Sequence, residues 1–147
     1  MVLDINEIKY FAPIAHDITK SRTSILIEHN GEIKSSIKFS FMIPVADISI
    51  TYMDFSKEIE INYVKSKYLS ECKGNEHLAM EMAKKYVALV NMEHEFCNKN
   101  VQAIKDKALE VYEIGCNSKH WLNKVCCNFK KLEAAMDIFI KEKQIAS

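Results

Sequence analysis

Apolar and polar positions alternate with period two through residues 23–64, and that alternation predicts half-buried strands. The first pair, TSILIEHNGEIKSSIKFSFMI, has two ways to turn. A two-residue Asn30-Gly31 turn pairs Ile27 with Lys34 and mixes apolar and polar side chains on one face. A three-residue loop, His29-Asn30-Gly31, with Gly31 left-handed, pairs Ile27 with Ile33 and keeps the apolar side continuous, so the pattern predicts this second turn. DISITYM and EIEINYV read as two further strands. A four-residue loop from Asp54 to Lys57 sets Tyr52 opposite Ile59 and Ile50 opposite Ile61, and Pro44 lies between the hairpins, where a strand can stop. Lys34, Ser36, Lys38, Ser40, Ser49, Thr51, Glu58, Glu60 and Asn62 form the other face, which is expected to see water.

On either side the period changes. Ile5, Ile8 and Phe11 are spaced for a short N-terminal helix that Asp4 caps and Pro13 ends. From Gly74 onward there is no proline, and Gly115 is the only internal glycine; Asn75 and Asn117 are predicted N-caps, Asn98 to Asn100 a break and Gly115 a C-terminal cap. Steps of three and four from Met80 pass through Ala83, Val87, Val90, His94, Cys97, Val101, Ile104, Ala108 and Val111. They continue through Gly115, Ser118, Leu122, Val125, Phe129, Leu132, Met136 and Phe139. One heptad phase of that length predicts long packed helices, as a bundle or a coiled coil, interrupted where His94, Gly115 and Ser118 fall on the seam. The expected fold class is α+β: a short N-terminal helix, a four-stranded antiparallel meander, then two or three long heptad-patterned helices. The chain reads as a single domain, with 1–73 as helix plus sheet and 74–147 as a helical half.

Composition narrows the function. At 147 residues, 48% apolar and 27% charged, the chain is long enough for one real core. Three glycines and two prolines are too few for a glycine-rich phosphate loop or a doubly wound nucleotide fold. Twenty basic and twenty acidic side chains cancel, which removes the charge argument for nucleic acid or an anionic membrane. Arg22 is the only arginine, too few for a protein that reads DNA bases by bidentate contacts. No run of about eighteen apolar residues is present, and MVLDINEIKYF lacks the basic-then-apolar layout of a signal peptide. A cytoplasmic protein without membrane partners is expected. The Lys, Ile and Asn excess suits an AT-rich genome, and so a bacterial, phage or viral origin.

Candidate chemistry is sparse. His94 with Cys97, and Cys116 with His120, give two pairs at helical spacing and the ligand types of zinc. A continuous helix holds His94 and His120 roughly 39 Å apart at 1.5 Å per residue, and a bundle puts the pairs at opposite ends of its second helix, so no metal site is expected. The five cysteines are read as reduced, structural thiols. HEFCN (residues 94–98) lacks the second histidine that a zinc-protease helix needs, and the adjacent His16 and Asp17 have no second histidine cluster beside them. Neither Cys97 beside His94 nor Cys116 beside His120 comes with an oxyanion hole or a glycine elbow. No catalytic residue and no cofactor is assigned. Phe39 and Phe41 share the face of Ile33 and Ile37, so they are read as core rather than as a stacking platform for single strands. The last helix is lysine-rich: Lys119, Lys124, Lys130 and Lys131, followed by Lys141 and Lys143, form the one basic patch, and Trp121 beside Leu122 is read as a buried anchor.

These features predict a non-catalytic protein-binding accessory protein, phage or viral in one version. It self-associates as a homodimer through Leu122, Val125, Phe129, Leu132, Met136 and Phe139. The other readings are a nucleic-acid-associated accessory protein using the lysine-rich last helix, and a metal- or thiol-dependent enzyme.

Overall fold

The computed structural model describes residues 1–51 and 60–145. The class is α+β: antiparallel strands come first and helices follow. The strands form two three-stranded sheets. β1 (Val2–Ile5), β2 (Ile8–Phe11) and β6 (Ile43–Pro44) make one, in the order β1-β2-β6. β3 (Ile14–Ala15), β4 (Ser24–His29) and β5 (Glu32–Lys38) make the other, with β5 in the centre.

The N-terminal segment is a hairpin, not a helix. Val2 pairs with Phe11 and Ile5 with Ile8 around Asn6 and Glu7, both at positive φ (49° and 67°). That turn needs two left-handed residues and has no glycine, so its usual signal is missing. Leu3, Ile5 and Tyr10 are buried, as alternation on a strand requires.

The next hairpin is where the sequence puts it, with a different turn. Glu28 faces Ile33 and His29 faces Glu32, which leaves the two-residue turn Asn30-Gly31, at φ of 53° and 79°. The face conflict is resolved inside the strand instead: a register shift after Ile27 sets Ile27 opposite Ser35, and Ile27 and Ile37 are fully buried. The second half of β5, Ser35 to Lys38, is also buried on both sides. Ser36, Lys38 and Ser40, expected in water, are covered. The segment DISITYM is not a strand where it is described, because Asp47–Thr51 is a short helix, α1. Ile61 begins helix α2 (Ile61–Glu71), so Ile50 and Ile61 are not strand partners; Tyr52, Ile59 and the Asp54–Lys57 loop lie outside the described residues.

Helices α3 (Glu76–Lys99), α4 (Val101–Cys116) and α5 (Phe129–Ile145) complete the chain. Asn75 caps α3 as predicted, its Oδ1 accepting from the Leu78 N–H at 3.1 Å. The heptad seam does not run on. A stretch containing the 3-10 turn Trp121–Val125 separates α4 from α5, and Val101, Val125 and Phe139 are exposed. Steps of three and four mark any helix with one apolar face, whatever covers it, so the phase carried no information about a coiled coil.

The chain divides into two compact units, residues 1–53 with 100–147, and residues 54–99. In the second, α2 and α3 form a helical hairpin around Gly74 (φ 80°), joined by a Lys65–Glu76 ion pair of 2.8 Å and an edge-to-face Tyr68–Tyr86 contact. Residue 73, the boundary expected from sequence, lies inside this hairpin. In the first unit, α4 packs on β1, β4 and the 3-10 turn Phe39–Phe41, and α5 packs on β6 and α4. A buried polar network fixes α5. Glu133 Oε1 accepts from the Tyr10 hydroxyl (2.5 Å) and the Tyr112 hydroxyl (2.8 Å), and Oε2 accepts from Lys130 Nζ (2.9 Å). The Phe129 ring, fully buried, stacks on Tyr112 and meets Tyr10 edge-on. It does so over Gly115, which is therefore a packing residue and not the helix cap; Asn117 is the cap.

Candidate functional site

The segment after β2 folds over the central strand. Lys38 N–H donates to the Pro13 carbonyl at 2.9 Å, and Ile14 and Ala15 pair with Ile37 and Ser36. Beyond β3 the chain turns on Asp17. Its Oδ1 accepts from the Thr19 N–H at 2.9 Å, a side-chain turn typical of aspartate, and its carbonyl accepts from the Ser36 hydroxyl. Its Oδ2 takes the ammonium of Lys38 at 2.8 Å. These donors, Lys38 first, hold the Asp17 carboxyl well below the usual carboxylate range. The Lys38 side chain is only 11% exposed while Asp17 is 57% exposed, so the pair has one open side.

That side faces a cleft of about 430 Å³ within the first unit. Ser21 and Thr23 bring hydroxyls to it, and the Ser21 hydroxyl also bonds that of Ser24 at 2.9 Å. Ser40 lines it as well, and Phe41, 57% exposed, adds an aromatic ring. The rest of the lining comes from the other end of the chain. Trp121 is 65% exposed, and the guanidinium of Arg22 lies over its ring, 5.7 Å from the centroid. The 3-10 turn that carries Trp121 is tethered at both ends. His120 Nδ1 accepts from the Leu122 N–H at 3.1 Å, and just past the turn the Cys127 N–H donates to the Ser40 carbonyl at 2.8 Å. The chain's only arginine and only tryptophan therefore meet beside a nearly buried lysine. Two cations, one of them paired with the Asp17 carboxylate, a planar ring and a row of hydroxyls suit a ligand that is anionic in one part and flat and polar in another.

Of the residues singled out from sequence, Asp17, Arg22, Phe41, Trp121, Leu122 and Val125 line this cleft, and the others lie elsewhere. His94 is exposed with its Nε2 against Asn98, and Cys97 is buried, both in the helical hairpin unit; Cys116 and His120 belong to the first unit. Among the described residues no three His, Cys, Asp or Glu side chains gather as a metal site. Of the lysine patch, Lys119, Lys124 and Lys131 are exposed, while Lys130 is engaged by Tyr112 (2.6 Å) and Glu133. The interface set divides between core and surface. Leu122 and Phe129 are buried, and Leu132, Met136 and Phe139 line a groove with Phe11 and Ile43. Val125 reaches the cleft. Trp121 is not a buried anchor, Phe41 is not core, and His16 and Asp17 are no ligand pair, since Asp17 is bound to Lys38.

A sequence model of toxin ToxN from type III toxin–antitoxin systems matches residues 1–137. A structure solved in a study of bacterial type III toxin–antitoxin systems, and of selective toxin inhibition by a non-coding RNA pseudoknot, has the same fold. The TM-score is 0.63 over 92% of this chain and 74% of that one, at 23% identity. No curated protein matches.

Proposed function

This chain belongs to the ToxN toxin family of type III toxin–antitoxin systems, and from that premise we propose that it is a toxin that binds and cleaves RNA in the Lys38–Arg22–Trp121 cleft. Membership overturns the reading of a non-catalytic, self-associating accessory protein of viral or phage type; the homodimer and the coiled coil fall with it. The nucleic-acid reading survives in altered form, moved from the last helix to the cleft. No helix among the described residues is long and apolar enough to cross a membrane.

The observation that carries the proposal is the convergence of Lys38 and Arg22 on one cleft with an exposed indole. When a 2′-hydroxyl loses its proton and attacks its own phosphodiester, a cyclic 2′,3′-phosphate forms. The 5′-oxygen of the next nucleotide leaves and takes up a proton, and negative charge builds on the phosphate oxygens on the way. Fixed cations in a partly desolvated site stabilise that charge more than they stabilise the resting strand. Lys38 is held by Asp17 and pre-positioned by the covering segment, and Arg22 offers a planar fork that matches phosphate. The neighbouring protein of known structure is described as a toxin inhibited by a non-coding RNA pseudoknot. By the same logic an RNA that fills this cleft is the inhibitor of the present chain.

The test is cleavage of a mixed-sequence single-stranded RNA by the purified protein, followed on denaturing gels. Lys38→Met keeps the apolar stem and removes the charge; a rate loss of about 10²–10³ is expected for one lost stabilising group. Arg22→Gln should lower both binding and rate. Intact RNA after incubation with folded wild type, or full activity in both variants, refutes the assignment.

A further inference from the structure

Trp121 is the largest side chain the fold leaves in water beside charged groups, and its exposure is not the result of fraying. The turn that bears it is pinned by His120 to Leu122, by Asn123 to the Gly115 carbonyl, and just beyond it by Cys127 to the Ser40 carbonyl. Leu122, the next residue, is buried and fixes the direction of the indole. The His120 ring stacks against it, 18° between planes with centroids 6.2 Å apart, and the indole stays 65% exposed. A large rigid ring held in water needs little further ordering when it binds something, which favours a binding role over a packing one.

We propose that Trp121 is a nucleobase-stacking subsite, and that it restricts the cleft to RNA with an unpaired base. The inference rests on the RNA reading of the cleft and adds the part of the strand that is read. Arg22 lies over the indole at 5.7 Å, within cation–π range. A base that stacks on Trp121 therefore brings its own phosphate within reach of Arg22 and Lys38. A cleft of about 430 Å³ is of the size that takes a single small ligand, so it accommodates one nucleotide rather than a helix. A base inside an A-form duplex has both faces covered by its neighbours and presents none to a side chain, whereas a splayed base in a loop or single strand presents a whole face. Stacking is tolerant of base identity and grows with ring overlap, so purines bind more tightly than pyrimidines.

Because Trp121 is the only tryptophan, its fluorescence reports the subsite directly. The full-length protein is titrated with AMP, with CMP, with a ten-nucleotide single-stranded oligoadenylate, and with the same strand annealed to its complement. Saturable quenching is expected for AMP and the single strand, several-fold weaker for CMP, and at least tenfold weaker for the duplex. Binding measured by filter retention should fall about tenfold or more in Trp121→Ala and within about threefold in Trp121→Phe, with unchanged melting temperatures in both. Unchanged binding of the single strand by Trp121→Ala, or duplex binding equal to single-strand binding, overturns the stacking subsite and leaves the RNA reading standing. Failure of the wild type to bind or cleave any RNA overturns both.

Discussion

Gly115→Ala isolates one close contact. Gly115 is in the last turn of α4, where alanine is favoured over glycine by about 1 kcal/mol on helix propensity alone. The structure predicts the opposite sign. A Cβ at this position falls 2.6 Å from Phe129 Cδ2, closer still to Cε2, and 3.2 Å from Cys126 Cβ. The ring cannot retreat, because it stacks on Tyr112 with centroids 5.6 Å apart and meets Tyr10 edge-on at 6.0 Å. Overpacking a closed core costs about 1–3 kcal/mol, and contacts this short belong at or above the top of that range. Net destabilisation of about 2 kcal/mol is expected. For a chain of this size that lowers the melting temperature by about 4–8 °C. Urea unfolding followed by Trp121 fluorescence and far-ultraviolet dichroism measures it, and the double-mutant cycle with Phe129→Ala assigns it. In the Phe129→Ala background, with the ring gone, Gly115→Ala should be neutral or stabilising. A Gly115→Ala protein as stable as wild type, with Phe129 in place, refutes the reasoning.

Glu133→Gln should cost about 1–3 kcal/mol, since it weakens three hydrogen bonds made to a buried carboxylate. Burial raises the Glu133 pKa, but hydrogen bonds from Tyr10, Lys130 and Tyr112 outweigh it and the net direction is down. A depressed folded-state pKa means this stabilisation is present above the unfolded value of 4.5 and is lost as pH falls through the folded one. The acid limb of a stability profile should therefore flatten in the variant, and identical limbs would refute the network. Gly31→Val should destabilise by more than about 1 kcal/mol, because Gly31 has φ +79°; nothing lies within 4 Å of an added Cβ, so the cost is backbone strain alone, and a melt equal to wild type would contradict the turn. Asp17→Asn removes a carboxylate that repels an incoming phosphate beside Lys38; single-stranded RNA should bind several-fold more tightly, and weaker binding would show that holding Lys38 in place matters more than the repulsion.

The β4–β5 hairpin, the three long helices and the Asn75 cap were legible because each rests on a local period or a local hydrogen bond. The N-terminal hairpin was not. Ile5, Ile8 and Phe11 fit a helical spacing as well as they fit two strands joined at Asn6-Glu7, and only the tertiary pairing decides. Ile48 and Ile50 misled in the other direction, alternating within what is one turn of helix. The cleft was hidden for a related reason. Alternation along β5 put Lys38 on a wet face, and nothing local says that residues 13–23 return to cover it. Arg22 and Trp121 were each noticed for their rarity, and rarity was the one signal that could have joined them. Ninety-nine positions separate the two, so their meeting follows from the fold alone.

The tether between the Cys127 amide and the Ser40 carbonyl has a meaning in time as well as in space. Lys38 leaves the ribosome 83 residues before Trp121 does. At about 5–20 residues per second the strand that carries Lys38 waits roughly 4–17 s for the turn that completes the cleft. Tyr10 waits longer still for Glu133, 123 positions later. The nascent chain thus holds its cationic strand without the ring beside it, and without the helix that locks the sheet, until those later segments emerge. On the RNA-cleaving reading proposed above this order is protective, because a polypeptide that has not yet made Trp121 lacks the completed cleft.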